Sequence, residues 1–202
     1  MKPLIIYCHP SRNSFTHAVK LIILKELALA GIDYRLTDLY ADSFNPVLER
    51  QAWQCYAQGQ YEQSLDRYVK DIQWCDTLVF IYPTWWHDIP AMLKGWFDRV
   101  LLPGIAFSLP SGTRKNVQPK LQKIERVMIF TSCGASWSMS KLVGEPGRKM
   151  IFRGLGFLCA KSLSRTFLAH YNMDNSTVES RQCHLRKVAE KIRKQIASST
   201  KI

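Results

Sequence analysis

Three short apolar segments in this chain each run directly into a loop that is rich in hydroxyl-bearing or aromatic side chains. The segments cover residues 4–8, 78–82 and 127–130, and the loops cover residues 9–16, 83–87 and 131–134. Continuous apolar runs of this length are typical of strands in a parallel sheet, which are buried on both faces. The carboxyl ends of such strands meet at one edge, where α/β proteins bind their ligands. The pattern therefore predicts an α/β fold with the three loops close together.

The rest of the chain alternates between strands and amphipathic helices. Apolar residues recur at helical spacing over residues 89–101, and Pro103 and Gly104 end that helix. We expect five strands, at residues 4–8, 34–39, 77–82, 126–131 and 157–163. We expect helices at residues 14–30, 48–58, 62–74, 89–101, 147–155 and 178–196, and a polar, proline-containing excursion at 108–122. This alternation predicts a parallel sheet with helices on both faces.

Composition favours one globular domain covering residues 1–202. With 47% hydrophobic residues the chain can bury a full core, and no apolar run is long enough to cross a membrane. The six cysteines include no C-x-x-C pair, which favours a reducing compartment and argues against a structural zinc site. We therefore expect a cytoplasmic protein without a metal site.

The net charge of +12 comes largely from two basic stretches, residues 114–126 and 181–201. Such a surface suits nucleic acid, an anionic membrane or a phosphorylated cofactor, and an ordinary solvated surface has the same character. The sequence contains no Cys/His finger and no basic motif with interleaved aromatic residues, so we expect no nucleic-acid partner.

The first loop has the composition of a phosphate site. Ser11, Asn13, Ser14 and Thr16 stand immediately before and within the first turn of a predicted helix. Free backbone N–H groups and the helix dipole favour an anion there, and short polar side chains add donors. Two simpler interpretations stay open, namely that Asn13 or Ser14 only caps the helix and that His9 is purely structural.

The other two loops suit a planar ring. Trp85 and Trp86 can form a wall whose backbone N–H groups face the polar edge of the ring, although an aromatic plug or a dimer contact explains them as well. Residues 131–134 are small and permit close approach of the backbone, as a plain tight turn also would. Trp137 follows as a candidate substrate contact. A phosphate and a ring bound at one sheet edge indicate a flavin.

Four motifs carry a resemblance to a known family. They are His9-Pro10 with Ser14-Phe15, DLYADSFNPVL at residues 38–48, Tyr82-Pro83 with Trp86, and IPAMLKGWFDRV at residues 89–100. With them the chain resembles, over residues 3–165, the flavodoxin-like NAD(P)H:quinone oxidoreductases. That family includes short bacterial quinone reductases and the ancillary reductase of glutathione-gated potassium efflux. The resemblance implies a flavodoxin-like three-layer sandwich with a five-stranded parallel sheet of order 2-1-3-4-5 and helices on both faces.

The resemblance also implies a homodimer with one flavin per subunit, and we expect the helix at residues 89–101 or its flanking loops to form the dimer contact. The implied cofactor-binding residues are His9, Asn13, Ser14, Phe15, Thr16, Pro83, Thr84, Trp85, Trp86, Thr131, Ser132, Cys133 and Gly134. The last loop usually reads Thr-Thr-Gly-Gly, so Cys133 replaces a glycine. Mammalian members place a tyrosine and a histidine shortly afterwards to assist hydride transfer, and residues 135–147 contain neither.

The resulting hypothesis is a flavin-dependent NAD(P)H oxidoreductase that passes two electrons as hydride to quinones or similar acceptors by a ping-pong mechanism. FMN is the expected cofactor and FAD the alternative, with NADPH or NADH as the co-substrate. A different class of function is the main rival, a regulatory flavoprotein subunit of a membrane transporter such as a potassium efflux system. In that case the protein is peripheral at the inner face of the membrane, and its basic carboxyl-terminal helix meets an acidic partner.

Overall fold

The computed structural model describes residues 1–110 and 115–199. The predicted basic stretches therefore reach beyond it, because Arg114 and Lys201 lie outside the described residues. The strands are β1 (Pro3–Tyr7), β2 (Arg35–Asp38), β3 (Thr77–Thr84), β4 (Phe107–Ser108), β5 (Gln118–Pro119), β6 (Arg126–Cys133) and β7 (Ser164–His170). The α-helices are α1 (Phe15–Leu29), α2 (Arg50–Ala57), α3 (Asp66–Trp74), α4 (Ala91–Val100), α5 (Trp137–Val143), α6 (Pro146–Lys149) and α7 (Val178–Ser199).

The main sheet is parallel and has the order β2-β1-β3-β6-β7. When its five strands are counted along the chain, this is the predicted order 2-1-3-4-5, and the fold prediction is confirmed. Strand β3 is central, and β1 lies between β2 and β3, with Leu4 paired to Arg35 on one side and to Leu78 on the other. Strands β4 and β5 form a separate antiparallel pair, which starts one residue before the excursion predicted at residues 108–122, and residues 111–114 of that excursion lie outside the described part of the chain.

Successive side chains of a strand point to opposite faces of the sheet, so the core is divided into two clusters, one on each face. Leu4 and Ile6 of β1 belong to the cluster that α4 covers with Leu93 and Trp96. The intervening residues of β1 face the cluster formed with α1 and α7, whose members include Ile5, Tyr7, Val19, Ile23, Leu27, Val188 and Ile192. Both faces of β1 are therefore buried, as its apolar sequence predicts.

The aromatic residues of α4 belong to this core rather than to an outer surface. Trp96 is fully buried, and Phe97 stacks on Phe80 of β3 with 5.3 Å between ring centroids. These two side chains pack within their own chain and are not available to a partner. They therefore give no support to a dimer contact through α4, which stays a prediction.

The loop between β2 and α2 crosses α4 in close contact. A Cβ atom on Gly95 would lie 2.3 Å from the carbonyl oxygen of Pro46, so only glycine fits beneath the loop. One turn later, Arg99 donates a hydrogen bond from Nη1 to the carbonyl oxygen of Asn45 at 2.6 Å. Two of the four sequence motifs, distant along the chain, thus pack directly on each other.

The fifth strand was wrongly predicted at residues 157–163, since β7 starts only at Ser164. Helical structure continues from α6 through a π-helix at Met150–Gly154 and a 3₁₀ turn at Leu155–Leu158, so Gly156 does not stop the helix predicted at 147–155. Strand β7 is the edge of the sheet and has a mixed burial pattern. An edge strand needs fewer apolar residues, and its sequence SRTFLAH therefore gave a weaker signal than the helical run before it.

The other predicted elements agree with the structure within a few residues. The helix predicted at 62–74 begins as a 3₁₀ turn, Gln63–Leu65, before α3. Among the described helices, none is long and apolar enough to cross a membrane.

Candidate functional site

The three loops meet at the carboxyl edge of the sheet, because β1, β3 and β6 are neighbours in it. The hydroxyl oxygens of Thr84 and Thr131 lie 3.0 Å apart, which connects the second loop to the third. The hydroxyl oxygens of Thr16 and Ser132, 3.5 Å apart, connect the first loop to the third. The ring centroids of His9 and Trp85 are 6.1 Å apart, which places the first loop beside the second.

Together the loops enclose an open cleft of about 670 Å³, a volume within the usual range for small-molecule sites. The lining residues are His9, Ser14, Phe15, Thr16, Pro83, Thr84, Trp85, Trp86, Ser132, Gly134, Met173 and Asp174. Three predicted site residues are not among them. Asn13 is exposed in the first loop, and the side chains of Thr131 and Cys133 are buried behind the cleft, where they line a cavity of about 30 Å³ with Tyr82 and Glu145.

Helix α1 starts at the cleft and has free donors there. Ser14 is its N-cap, and the Ser14 hydroxyl accepts a hydrogen bond from the His17 N–H at 3.0 Å. The first hydrogen bond within the helix runs from the Ala18 N–H to the Ser14 carbonyl oxygen. The N–H groups of Phe15 and Thr16 come before it in the chain and therefore have no acceptor within the helix. Ser14 therefore does cap the helix, and the same arrangement leaves two backbone donors at the positive end of the helix dipole.

His9 also has a structural role in this loop. Its Nδ1 accepts a hydrogen bond from the Ser11 N–H at 3.0 Å, and burial lowers the pKa of its imidazole. A neutral His9 thus holds the loop in shape while its ring lines the cleft.

The second loop is a two-residue turn with an unusual backbone. Trp85 and Asp88 exchange two hydrogen bonds of 3.0 Å between their backbone N–H and carbonyl groups. The residues between them, Trp86 and His87, both have positive φ angles, of 49° and 62°. Such turns normally contain Asn or Gly, and bulky residues persist in this conformation only where the surroundings impose it. The turn leaves the Trp86 side chain 97% exposed at the cleft.

The third loop passes beneath a residue that sequence reasoning missed. A Cβ atom on Gly134 would lie 2.6 Å from Oδ2 of Asp174, so the carboxylate occupies the space that the missing side chain leaves. Asp174 and Met173 belong to a 3₁₀ turn just after β7. Had β7 been predicted to end at His170, that turn would have been expected at the same sheet edge, so the misplaced strand concealed both residues.

Cys133 is not a reactive group in this geometry. Its thiol donates a hydrogen bond to the Thr84 hydroxyl at 3.2 Å, and burial raises its pKa. A thiol of raised pKa is a poor source of thiolate, so Cys133 fills space and connects two loops.

A charged cluster stabilises the segment that follows the third loop. Glu145 has a φ angle of 49° and accepts hydrogen bonds from Lys141 at 2.6 Å, Arg148 at 2.7 Å and Tyr171 at 2.6 Å. Burial alone would raise the pKa of this carboxyl, but the three donors outweigh it and lower the pKa to about 2. The cluster fixes the junction of α5 and α6. Trp137, at the start of α5, is 60% exposed and lies outside the cleft lining, so its role as a substrate contact stays a prediction.

Comparisons with known proteins agree with this fold. The rat (Rattus norvegicus) protein NAD(P)H dehydrogenase [quinone] 1 is 29% identical over 163 residues, which are 72% of this chain and 58% of the rat protein. The chain thus spans little more than half the length of that relative. A solved NAD(P)H:quinone oxidoreductase from Methanothermobacter marburgensis is 26% identical with a TM-score of 0.79, and the match covers 96% of both chains.

A more distant structure shares the fold alone. It is an FMN-dependent NADH-azoreductase from Bacillus anthracis, solved in complex with FMN, with 20% identity, a TM-score of 0.76 and coverage of 96% of this chain and 98% of that one. The family model described as "Flavodoxin-like fold" matches residues 1–195. The five-stranded order, the cleft at the carboxyl edge and this match over nearly the whole chain lead to one conclusion: the chain belongs to the flavodoxin-like fold family.

Proposed function

We propose that this protein is a flavin-dependent NAD(P)H oxidoreductase acting on quinones or similar acceptors. One observation carries the proposal. A single cleft combines the N-terminus of α1 with an exposed aromatic turn and the small residues Ser132 and Gly134 of the third loop. The rat and Methanothermobacter relatives, whose names specify NAD(P)H and quinone, support the same reaction class.

The residues present fit a flavin mononucleotide. Its phosphate would accept hydrogen bonds from the N–H groups of Phe15 and Thr16, beside the Ser14 hydroxyl. Its ring would lie between the Trp85–Trp86 side of the cleft and the third loop, which contributes Ser132 and Gly134 to the lining. One helix N-terminus provides one phosphate position, which favours FMN over FAD, and the azoreductase of the same fold was solved with FMN.

The tight turn has a specific electrostatic role in this proposal. The N–H groups of Trp85 and Asp88 are used within the turn, whereas those of Trp86 and His87 have no hydrogen-bond partner in the described part of the chain. Fixed backbone donors of this kind stabilise negative charge at the polar edge of a ring without having to reorganise. The exposed indole of Trp86 would cover the adjacent face of a bound ring.

The overall reaction consumes NAD(P)H, one proton and a quinone, and it yields NAD(P)⁺ and a hydroquinone. A bound flavin supplies the two-electron chemistry between the two substrates. The cleft is open, so we infer that reductant and acceptor react with the bound flavin in turn, which is a ping-pong mechanism.

A regulatory role rests on a different part of the surface. Helix α7 exposes Arg186, Lys187, Lys191 and Lys194. This basic face suits an acidic partner such as a cytoplasmic domain of a transporter. A stable complex that survives loss of the flavin site would favour this alternative, whereas saturable quinone turnover favours the enzyme.

The proposal is tested on purified protein by identifying the released cofactor and measuring initial rates. We expect FMN close to one per chain, oxidation of NADH or NADPH that depends on quinone, and parallel double-reciprocal plots. A colourless protein that binds neither FMN nor FAD in titration would refute it.

A further inference from the structure

A smaller chamber adjoins the cleft behind the tight turn. Its volume is about 220 Å³, and it shares Thr84, Trp86, Gly134 and Asp174 with the cleft. The other lining residues are His87, Cys133, Ala135 and Ser140. The chamber is therefore a side branch of the cleft, located beside the loops assigned to the flavin ring rather than beside the helix assigned to its phosphate.

Asp174 is the one carboxylate that lines either space within the described residues. Although it lies on an exposed turn, its position is specific, because Oδ2 occupies the volume that a side chain at Gly134 would fill. No hydrogen bond or ion pair to another described residue compensates its charge. The carboxylate is therefore free to act on whatever enters the chamber.

We propose that the side chamber is the acceptor subsite and that Asp174 makes it select aromatic acceptors that are neutral or cationic over anionic ones. The inference rests on the proposed function, and it adds the charge class of the acceptor. Trp86 supports the preference, since an exposed indole attracts delocalised cations through its π face. Asp174 and Trp86 thus act in the same direction, even though the chain carries a net charge of +12 that would otherwise attract anions.

Charge-matched acceptors test this selectivity. The holoprotein is assayed with a neutral naphthoquinone, its sulfonate and a phenothiazinium dye, with the same reductant and at low ionic strength. Each kcat/KM value is expressed relative to the kcat/KM for the neutral quinone. In Asp174→Asn, we expect this ratio to rise about threefold for the sulfonate and to fall about threefold for the cationic dye. Both changes should shrink at high salt. Asp174→Glu should keep the wild-type order.

Asp33→Asn is the matched control. Asp33 is exposed and precedes β2, so it lies at the amino edge of the sheet, opposite the cleft. Its loss removes the same charge from the molecule and should leave the ratios between acceptors as in the wild type. If Asp33→Asn and Asp174→Asn change the ratios equally, or Asp174→Asn leaves them unchanged, the assignment of Asp174 is wrong.

Direct binding separates this inference from the proposed function. Quenching of tryptophan fluorescence gives Kd values for the same three compounds without turnover. If the wild-type protein reduces none of them, the proposed function fails, and the Kd ratios still decide the inference. Equal effects of Asp174→Asn on all three Kd values would overturn it.

Discussion

Ser14→Asp tests where the cofactor phosphate binds. Aspartate is as good an N-cap as serine, so the bond that Ser14 accepts from the His17 N–H at 3.0 Å should be retained and the helix should stay intact. The substitution instead places a negative charge beside the N–H groups of Phe15 and Thr16. The expected result is weaker binding of FMN in a natively folded protein.

The size of this effect follows from the exposure of the site. Two like charges about 4 Å apart cost about 1 kcal/mol in water and about 4 kcal/mol where solvent is partly excluded. The cleft is open, so we expect the lower part of this range, about 1–2 kcal/mol, or a roughly 5- to 30-fold increase in the Kd for FMN.

The assay is fluorescence titration of apoprotein with FMN and with riboflavin, which lacks the phosphate. Riboflavin affinity should be the same in Ser14→Asp and wild type. Ser136→Asp is the matched control, because Ser136 caps α5 in the same manner, accepting from the Met139 N–H at 3.3 Å. An unchanged FMN Kd in a folded Ser14→Asp protein would show that the phosphate binds elsewhere. An equal loss for riboflavin would show that the effect is steric.

Three further predictions follow from burial and charge. Trp86→Ala should change the free energy of unfolding by less than about 0.5 kcal/mol but weaken flavin binding, whereas Trp96→Ala, at a fully buried site, should cost about 3–5 kcal/mol in urea denaturation. Burial lowers the pKa of His184 from 6.5 to about 4, so the free energy of unfolding of the wild type should decrease as the pH falls from 6.5 to 4. In His184→Gln this decrease should be smaller. Hydrogen bonds lower the pKa of Glu145 from 4.5 to about 2, so the protein should lose roughly 2 kcal/mol of folding stability as the pH falls from 4.5 to 2. Glu145→Gln should abolish that loss.

The sequence predicts the central strands and the convergence of the loops for the same physical reason. Strands β1, β3 and β6 are buried on both faces, and this burial requires the continuous apolar runs that mark them. Where such a run stops, the polar loop at the sheet edge begins. The location of the cleft can therefore be predicted from residue types alone.

Two parts of the site cannot be predicted from residue types. The edge strand β7 has weak apolar character, and its misplacement concealed Asp174, which no motif marks. The positive φ angles of Trp86 and His87 contradict the local preference of these residue types, because such turns normally contain Asn or Gly. A single sequence contains neither feature explicitly.

In the Trp85–Asp88 turn, the side chains can be changed without changing the backbone hydrogen-bond donors. The free donors of the turn belong to the backbone, so they remain when the side chains at 86 and 87 are exchanged for others that adopt positive φ, such as Asn or Gly. A library randomised at these two positions would therefore vary the wall of the acceptor chamber while the donors to the ring edge stay in place. Laboratory evolution of new acceptor ranges can begin there, because the backbone donors to the ring edge persist even where loss of the Trp86 indole weakens flavin binding.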